Sequence, residues 1–478
     1  MTGGLPSDEH YAHNLVAGRW QFPAAPYEYE IRNPADSTVT TVVPLSSRVD
    51  VARAVDAAAQ AAGPWMADNH GRSLLLTQLV DAIDRHAEPL AALQSTETGL
   101  VPADSHAALS GIVRLAQAFL ANHPRDGANH PRDGANYPRD GANHPPGGAD
   151  HPPDGPVVQP AGVSGHVLSW GLPLAETICA LLPHLAAGRT VVVKPSLRAP
   201  LSTVAVAYLA TGLGFAPGVI NVVQGTGVDV GAELHATGRL ARLHVRAGER
   251  TLAHAARATA VTGVPLRTLR AGGNVAVVGP DADPAAPAAA IVDALRVHST
   301  GGPLSLPFLA VHASRAQAVL DAIIAGLDDC TPAPLPTEPL RQRALDRVHA
   351  LQRAGARLRY GGAVPDDVAH RMGWRLPPTV LAVGDVPRPV RLLEADPFGE
   401  PLGPVLVVAN WRSPHELAGV FDHPRHADGI ASVWGVDDTA LASAALPHPT
   451  IVREAPPLRA LHDAQMPPSW TGGIPAPG

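Results

Sequence analysis

Only one of the chain's 36 basic residues is a lysine, Lys194. It ends the run Thr190-Val191-Val192-Val193 and is followed by Pro195. β-Branched residues at that density suit a strand buried on both faces. Ligands of open parallel sheets bind beyond the carboxyl ends of such strands. A lone ammonium there is placed to act as a point charge on a ligand phosphate or ribose. A second pair invites a chemical reading. Glu176 and Cys179 stand three residues apart, so a helix would put carboxylate and thiol on one face. A cysteine attacks only as its thiolate, and an unpaired cysteine is more often a small buried apolar residue. Cys179 is therefore a weak nucleophile candidate. The other cysteine, Cys330, lies in the loop-like stretch Asp328-Asp329-Cys330-Thr331-Pro332 without an evident partner.

The elements that must position these groups read from Ser164 to Pro195 as strand, turn, helix, turn, strand. His166–Ser169 is a short apolar run closed by Trp170 and Gly171. Pro173 suits the first turn of a helix, where its missing N–H has no partner to lose. Leu174, Ile178, Leu181, Leu182 and Leu185 recur at helical spacing, and Gly188 ends the helix. The alternation continues. Leu201–Leu213 is a helix, Val219–Val223 a strand, and Leu243–Thr251 a strand leading into a helix. Val275–Val278 and Leu309–Ala313 are strands, and Ala316–Leu327 and Arg341–Ala354 are helices. Strands and helices in that order predict an α/β fold with parallel sheets. Upstream, Ala17-Gly18 marks a hairpin turn. Three helices are expected there, at Val51–Ala62 with a stop at Gly63-Pro64, at Ser73–His86 and at Glu88–Thr96.

At 478 residues the chain is too long for one simple core. A net charge of −7 offers no basic footprint, so neither nucleic acid nor an anionic membrane is an expected partner. Two cysteines build no disulfide framework, which predicts a reducing, cytoplasmic location. No leader pattern and no membrane-length apolar run is evident.

One tract breaks the pattern. Ala121–Gly155 is five tandem heptapeptides: ANHPRDG twice, then ANYPRDG, ANHPPGG and ADHPPDG. Each carries proline and lacks apolar periodicity, so the tract is expected to be a disordered chain of turns. His123, His130, His144 and His151 have no fixed geometry there, and no metal site is expected.

Two segments carry a family resemblance. Ser169–Leu174 (SWGLPL) and Leu185–Ser196 (LAAGRTVVVKPS) resemble the P-W-N-F-P-L and L-A-A-G-N-T-V-V-V-K-P-S segments of NAD(P)-dependent aldehyde dehydrogenases. Further matches follow in order: Asn33-Pro34-Ala35, Glu97-Thr98-Gly99, Gly225 closing a glycine turn, Pro377–Leu381, Glu400–Val405 and Gly429–Trp434. The resemblance implies an aldehyde-dehydrogenase-like α/β fold, with a Rossmann-type cofactor domain and a second, catalytic-type α/β domain. Boundaries are expected at 1–120 with 156–264 for the first, 121–155 for the repeat insertion, 265–445 for the second, and 446–478 for an irregular tail. It further implies NAD or NADP as cofactor, with Trp170, Lys194, Ser196, Gly225, Gly248 and Glu400 at cofactor positions.

The family's chemistry needs a cysteine nucleophile, a glutamate base and an asparagine donor to the oxyanion. At the matching positions this chain has Pro303 or Leu304, Arg270 and Gly171. A guanidinium is no base. The family's ribose-binding glutamate is replaced by Leu197, and Arg246, Gly248, Glu249 and Leu252 alter a helix mouth expected to face the cofactor. Nucleotide binding is accordingly expected to be weak or lost, and aldehyde oxidation degenerate. By the same register, Cys179 lies on a helix that lines the family's substrate tunnel. The competing expectations are an oxidoreductase working through non-standard residues and a non-enzymatic binding or scaffold protein. The repeats replace the start of a hairpin used in the family's assembly, so oligomerisation is doubtful.

Overall fold

Two seven-stranded sheets organise the protein. The computed structural model describes residues 4–25, 27–122, 162–270, 273–297, 305–328, 330–331, 334–385, 403–421, 429–437 and 450–454. In chain order the first strands are β1 (Asn14–Val16), β2 (Arg19–Gln21), β3 (Glu28–Arg32), β4 (Val39–Pro44), β5 (Val163–Val167), β6 (Thr190–Lys194), β7 (Ile220–Val222), β8 (Arg242–Ala247) and β9 (Leu266–Arg270). β3 and β4 pair with each other; the rest form a sheet ordered β2-β1-β7-β6-β5-β8-β9. β5 to β9 run parallel. The order reverses between β5 and β8, which makes the carboxyl ends of those strands the crevice of the sheet.

The helices of this half are α1 (Asp8–Tyr11), α2 (Arg48–Ala67), α3 (Asn69–Arg85), α4 (Ala87–Thr98), α5 (Pro102–Asn122), α6 (Pro173–Ala186), α7 (Leu201–Gly212), α8 (Ala232–Ala236) and α9 (Glu249–Thr262). α6 is buried along its whole length, as expected of a helix with apolar residues on every face. It packs against α3, α5 and α7. The second sheet is built from β10 (Val275–Val278), β11 (Phe308–His312), β12 (Arg357–Tyr360), β13 (Thr379–Asp385), β14 (Val405–Trp411), β15 (Ile430–Trp434) and β16 (Thr450–Arg453). Its order is β12-β13-β14-β11-β10-β15-β16, with only β12 antiparallel to its neighbour. This is the α/β, two-sheet architecture expected from the alternation.

Several expectations need correction. α2 does not stop at Gly63-Pro64 but continues to Ala67. Packing overrides the proline here. Trp65 Nε1 donates to Leu185 O at 3.1 Å, and Arg72 Nη1 donates to Trp65 O at 2.7 Å. α5, for which no helix was expected, runs to Asn122 and so takes in the first two residues of the repeats; the remainder of the tract lies outside the described residues. The boundary expected at 264/265 precedes β9, which pairs with β8 in the first sheet. Within the supposedly irregular tail, Thr450–Arg453 pairs with β15.

The core beneath α6 is not purely apolar. His166 and His244 are register partners on β5 and β8, and their rings stack at 4.9 Å between centroids. His184 from α6 meets them edge-on at 4.6 and 4.4 Å. All three are buried. Among the described residues neither ring nitrogen of His166 has a hydrogen-bond partner, while Ser164 Oγ lies 3.1 Å from His184 Nδ1.

Candidate functional site

Five strands deliver their carboxyl ends to one edge of the first sheet. After β5 come Trp170, half-buried, and Gly171, buried. Lys194 ends β6, with Ser196 next to it; Gly225 follows β7, Gly248 follows β8, and Arg270 ends β9. The topology therefore brings together five of the six expected cofactor residues. Glu400, Pro303 and Leu304 lie outside the described residues, and of Arg270 only the backbone is described, paired with Ala247.

The turn carrying Trp170 is held by a buried carboxylate. Glu176 accepts a hydrogen bond from Ser169 N at 2.8 Å and another from the Ser169 hydroxyl. Burial pushes the Glu176 carboxyl up, against the opposing pull of the Arg246 charge and these bonds. Glu176 is thus a loop clamp rather than a free base. The Arg198 guanidinium carbon lies over the Trp170 ring, 4.4 Å from its centroid, a favourable cation–π arrangement. Arg198 went unrecognised from the sequence; its only signal was its place two residues after Ser196.

Lys194 is buried, and its Nζ donates to Pro195 O at 2.8 Å. Burial and then the Arg198 charge lower its pKa to about 8. Ser196 Oγ accepts from Arg198 N at 3.2 Å and shapes the turn. Gly225 is fixed by close approach, since a Cβ would run into the Val230 side chain and the Ser46 backbone. The amino-terminal hairpin secures this corner, with Gln224 N donating to Asn14 Oδ1 at 2.9 Å and Asn14 Nδ2 donating to Ser46 Oγ at 2.8 Å. Gly248 is the N-cap of α9 and has no side-chain cap, so the positive end of that helix dipole lies at the same edge.

Two residues expected at the α9 mouth are elsewhere. Leu252 is buried in the core formed with Val163, Val245 and Ala255. Arg246 is also buried. It shares a strand face with His244, and its charge acts on His166 and, on α6, on Glu176 and Cys179. Only Glu249 stays exposed. Strand alternation decides this for Arg246, and the buried face of α9 for Leu252.

Cys179 is buried, and burial pushes its thiol up to about 12, with Arg246 opposing and Glu176 adding to the rise. About one thiol in 10⁵ would then be ionised at neutral pH. The carboxylate three residues away makes the thiol less acidic, contrary to an activated pair. Cys330 is only half-buried. In native protein, an aromatic disulfide reagent should titrate Cys330 alone, and Cys179 should react only on unfolding. Fast native labelling that survives Cys330→Ser would contradict this burial.

Residues 20–441 match the Aldehyde dehydrogenase family. The chain is 29% identical over 384 residues to the 3,6-anhydro-alpha-L-galactose dehydrogenase of Streptomyces coelicolor, covering 77% of this chain and 74% of that one. It is 26% identical over 439 residues to the betaine aldehyde dehydrogenase of Bacillus subtilis, covering 88% and 85%. Among solved structures, PnpE in complex with nicotinamide adenine dinucleotide superposes with a TM-score of 0.80 at 23% identity, over 93% of this chain and 90% of that one. The betaine aldehyde dehydrogenase of Staphylococcus aureus in complex with NAD+ does so with a TM-score of 0.78 at 22% identity, over 93% and 87%. Among the described residues no helix is long and apolar enough to cross a membrane. Matched over residues 20–441, the chain belongs to the aldehyde dehydrogenase family of oxidoreductases.

Proposed function

We propose that the protein is a nucleotide-binding member of this family that has lost the covalent route of aldehyde oxidation. The observation that carries this reading is the state of Cys179. The sequence has two cysteines; Cys179 is buried on α6 with its thiol raised to about 12, and Cys330 follows the helix Ala316–Leu327, far in the chain from the strand-end cluster. The sequence supports the same view. Pro303 or Leu304 occupies the nucleophile position, Arg270 the base position, and Gly171 removes the side-chain oxyanion donor. Loss of one such donor costs about two to three orders of magnitude in rate, and loss of the nucleophile removes the acyl-enzyme path altogether.

Binding is supported by what remains. Lys194 is a buried cation, Trp170 is a half-exposed aromatic surface, and Gly248 opens a helix of 14 residues toward the same edge. These residues fit NAD or NADP: Gly248 and the first turn of α9 suit a pyrophosphate, and Lys194 suits the ribose. A bound nicotinamide would supply hydride acceptance. The chain's own residues orient and desolvate the nucleotide.

Calorimetric titration with NAD+ and NADP+, followed by a panel of aldehydes, tests this. Nucleotide should bind, and Lys194→Ala should weaken it by about 1–2 kcal/mol. Acid formation should stay at background. Turnover within the usual enzymatic range, about 1–10³ per second, would overturn the reading. If that turnover vanished in Cys179→Ala, it would be reassigned to a non-standard nucleophile.

A further inference from the structure

The second sheet ends in a strand whose arginines have nothing to neutralise them. Among the described residues β12 pairs on one side only, antiparallel to β13. Arg357, Leu358 and Arg359 are all exposed, Leu358 at 40%. A register shift between Leu358 and Tyr360 leaves Arg359 without a register partner on β13, the kind of bulge that re-aims a side chain. The preceding helix, Glu338–Arg353, brings a third exposed guanidinium, Arg353, in its last turn. Among the described residues these three guanidiniums make no hydrogen bond and no ion pair. Carboxylates in the flanking chain are engaged elsewhere. Asp366 pairs with Arg371 and Asp367 with His370, while Asp328 accepts from the Tyr360 hydroxyl at 3.1 Å. From Arg341 to Arg359 there are six arginines and one carboxylate, Asp346, in a chain of net charge −7. The patch reverses the sign of the protein as a whole.

Two ordinary reasons for arginine fall short here. A cation in the last turn offsets the helix dipole, which accounts for Arg353 but not for the strand. A charged edge deters pairing with like-charged strands, a second β12 included, yet the same edge attracts an acidic one. Three features converge on such a partner. The open edge carries unpaired backbone N–H and C=O groups. The planar guanidinium fork suits carboxylates. Leu358 adds an apolar side chain between the two cations. A nucleic acid would use the cations alone, whereas an extended peptide uses all three. We propose that β12 is a docking edge for an acidic, extended segment of another protein, which adds to the second sheet as a further strand. Its carboxylates meet Arg357 and Arg359, and an apolar side chain meets Leu358.

Fluorescence anisotropy on the full chain, with a labelled decapeptide alternating glutamate and valine, tests this. The peptide should bind, and more weakly with added salt. Arg357→Glu combined with Arg359→Glu should weaken binding at least about tenfold without moving the thermal melt, since both side chains are exposed. Arg357→Gln combined with Arg359→Gln reports the same loss if the reversed pair fails to fold. Backbone N–H groups point alternately to the two sides of a strand. Methylating one alternate set of peptide nitrogens should therefore abolish binding, and methylating the other set should spare it. Absence of peptide binding, binding that survives both double substitutions, or equal effects of the two methylated sets would overturn the proposal. Tighter binding of an oligothymidylate of equal charge would overturn it too, by making the patch a site for polyanions at large.

Discussion

Acidification should destabilise the protein well before its surface carboxylates titrate, because three imidazoles are locked neutral where α6 meets β5 and β8. His166, His184 and His244 all have their pKa held well below the ordinary value. Burial is the main cause for each, aided by one another's charges and by the facing Arg189, Arg242 and Arg246. In the unfolded chain the same groups titrate near 6.5. At neutral pH both states are uncharged there and nothing is lost. Below about 6.5 the unfolded chain gains protons that the fold refuses, and stability drops by up to about 1.4 kcal/mol per pH unit for each ring. For three rings that is up to about 4 kcal/mol per unit, against a typical total of about 5–15 kcal/mol. Two buried carboxyls work in the opposite direction. Glu97, raised to about 7, and Glu176, also raised, hold protons that the unfolded chain releases, so they add stability as pH falls. With three groups against two, the net slope is a loss. Urea midpoints between pH 7 and 5 should fall in the wild type, and His166→Leu or His244→Leu should flatten that fall by about one proton's worth. Unchanged slopes in both variants would mean that the cluster is already charged or hydrated in the native protein.

A second large effect is expected at Glu97. α7 starts at Leu201 with Pro200 as its N-cap and has no side-chain cap of its own. Glu97, reaching from α4 and buried, accepts from Leu201 N at 2.7 Å, from Ser202 N at 2.9 Å, and from the Ser202 hydroxyl. Truncation would strand these donors where water cannot reach them, at about 1–3 kcal/mol each. At pH 6 Glu97→Ala should therefore cost about 3–5 kcal/mol, while Glu97→Gln, which keeps an acceptor oxygen, should cost about 1–2 kcal/mol. Burial is the main cause of the Glu97 carboxyl's rise to about 7, moderated by the three bonds. Wild-type stability should therefore carry a downward component as pH rises from about 4.5 to 7, absent in both variants. Denaturation at pH 6 decides the matter, and an alanine cost below about 1 kcal/mol would show the cap to be dispensable.

The strand–helix–strand unit from Val163 to Lys194 was legible from the chain because its signals are local. β-Branched runs, helical spacing and a first-turn proline act over a few residues. Together with the ordered motifs, they were enough for the two-sheet α/β fold and for placing Trp170, Lys194, Gly225 and Gly248 at strand ends. Other features depended on tertiary contacts. Whether α2 passed Pro64 was settled by Arg72 and Leu185, which bind the backbone and indole around Trp65. Whether Arg246 faced ligand or core was settled by the side of β8 on which it falls, and the same parity stacks His244 on His166. Residues 166, 184 and 244 share no spacing that announces a cluster. Only parallel pairing of β5 with β8, and a buried helix laid over both, brings them within van der Waals reach. Burial then sets the chemistry. Desolvation, which no motif encodes, makes Cys179 inert, raises the Glu97 carboxyl and lowers the pKa of the Lys194 ammonium.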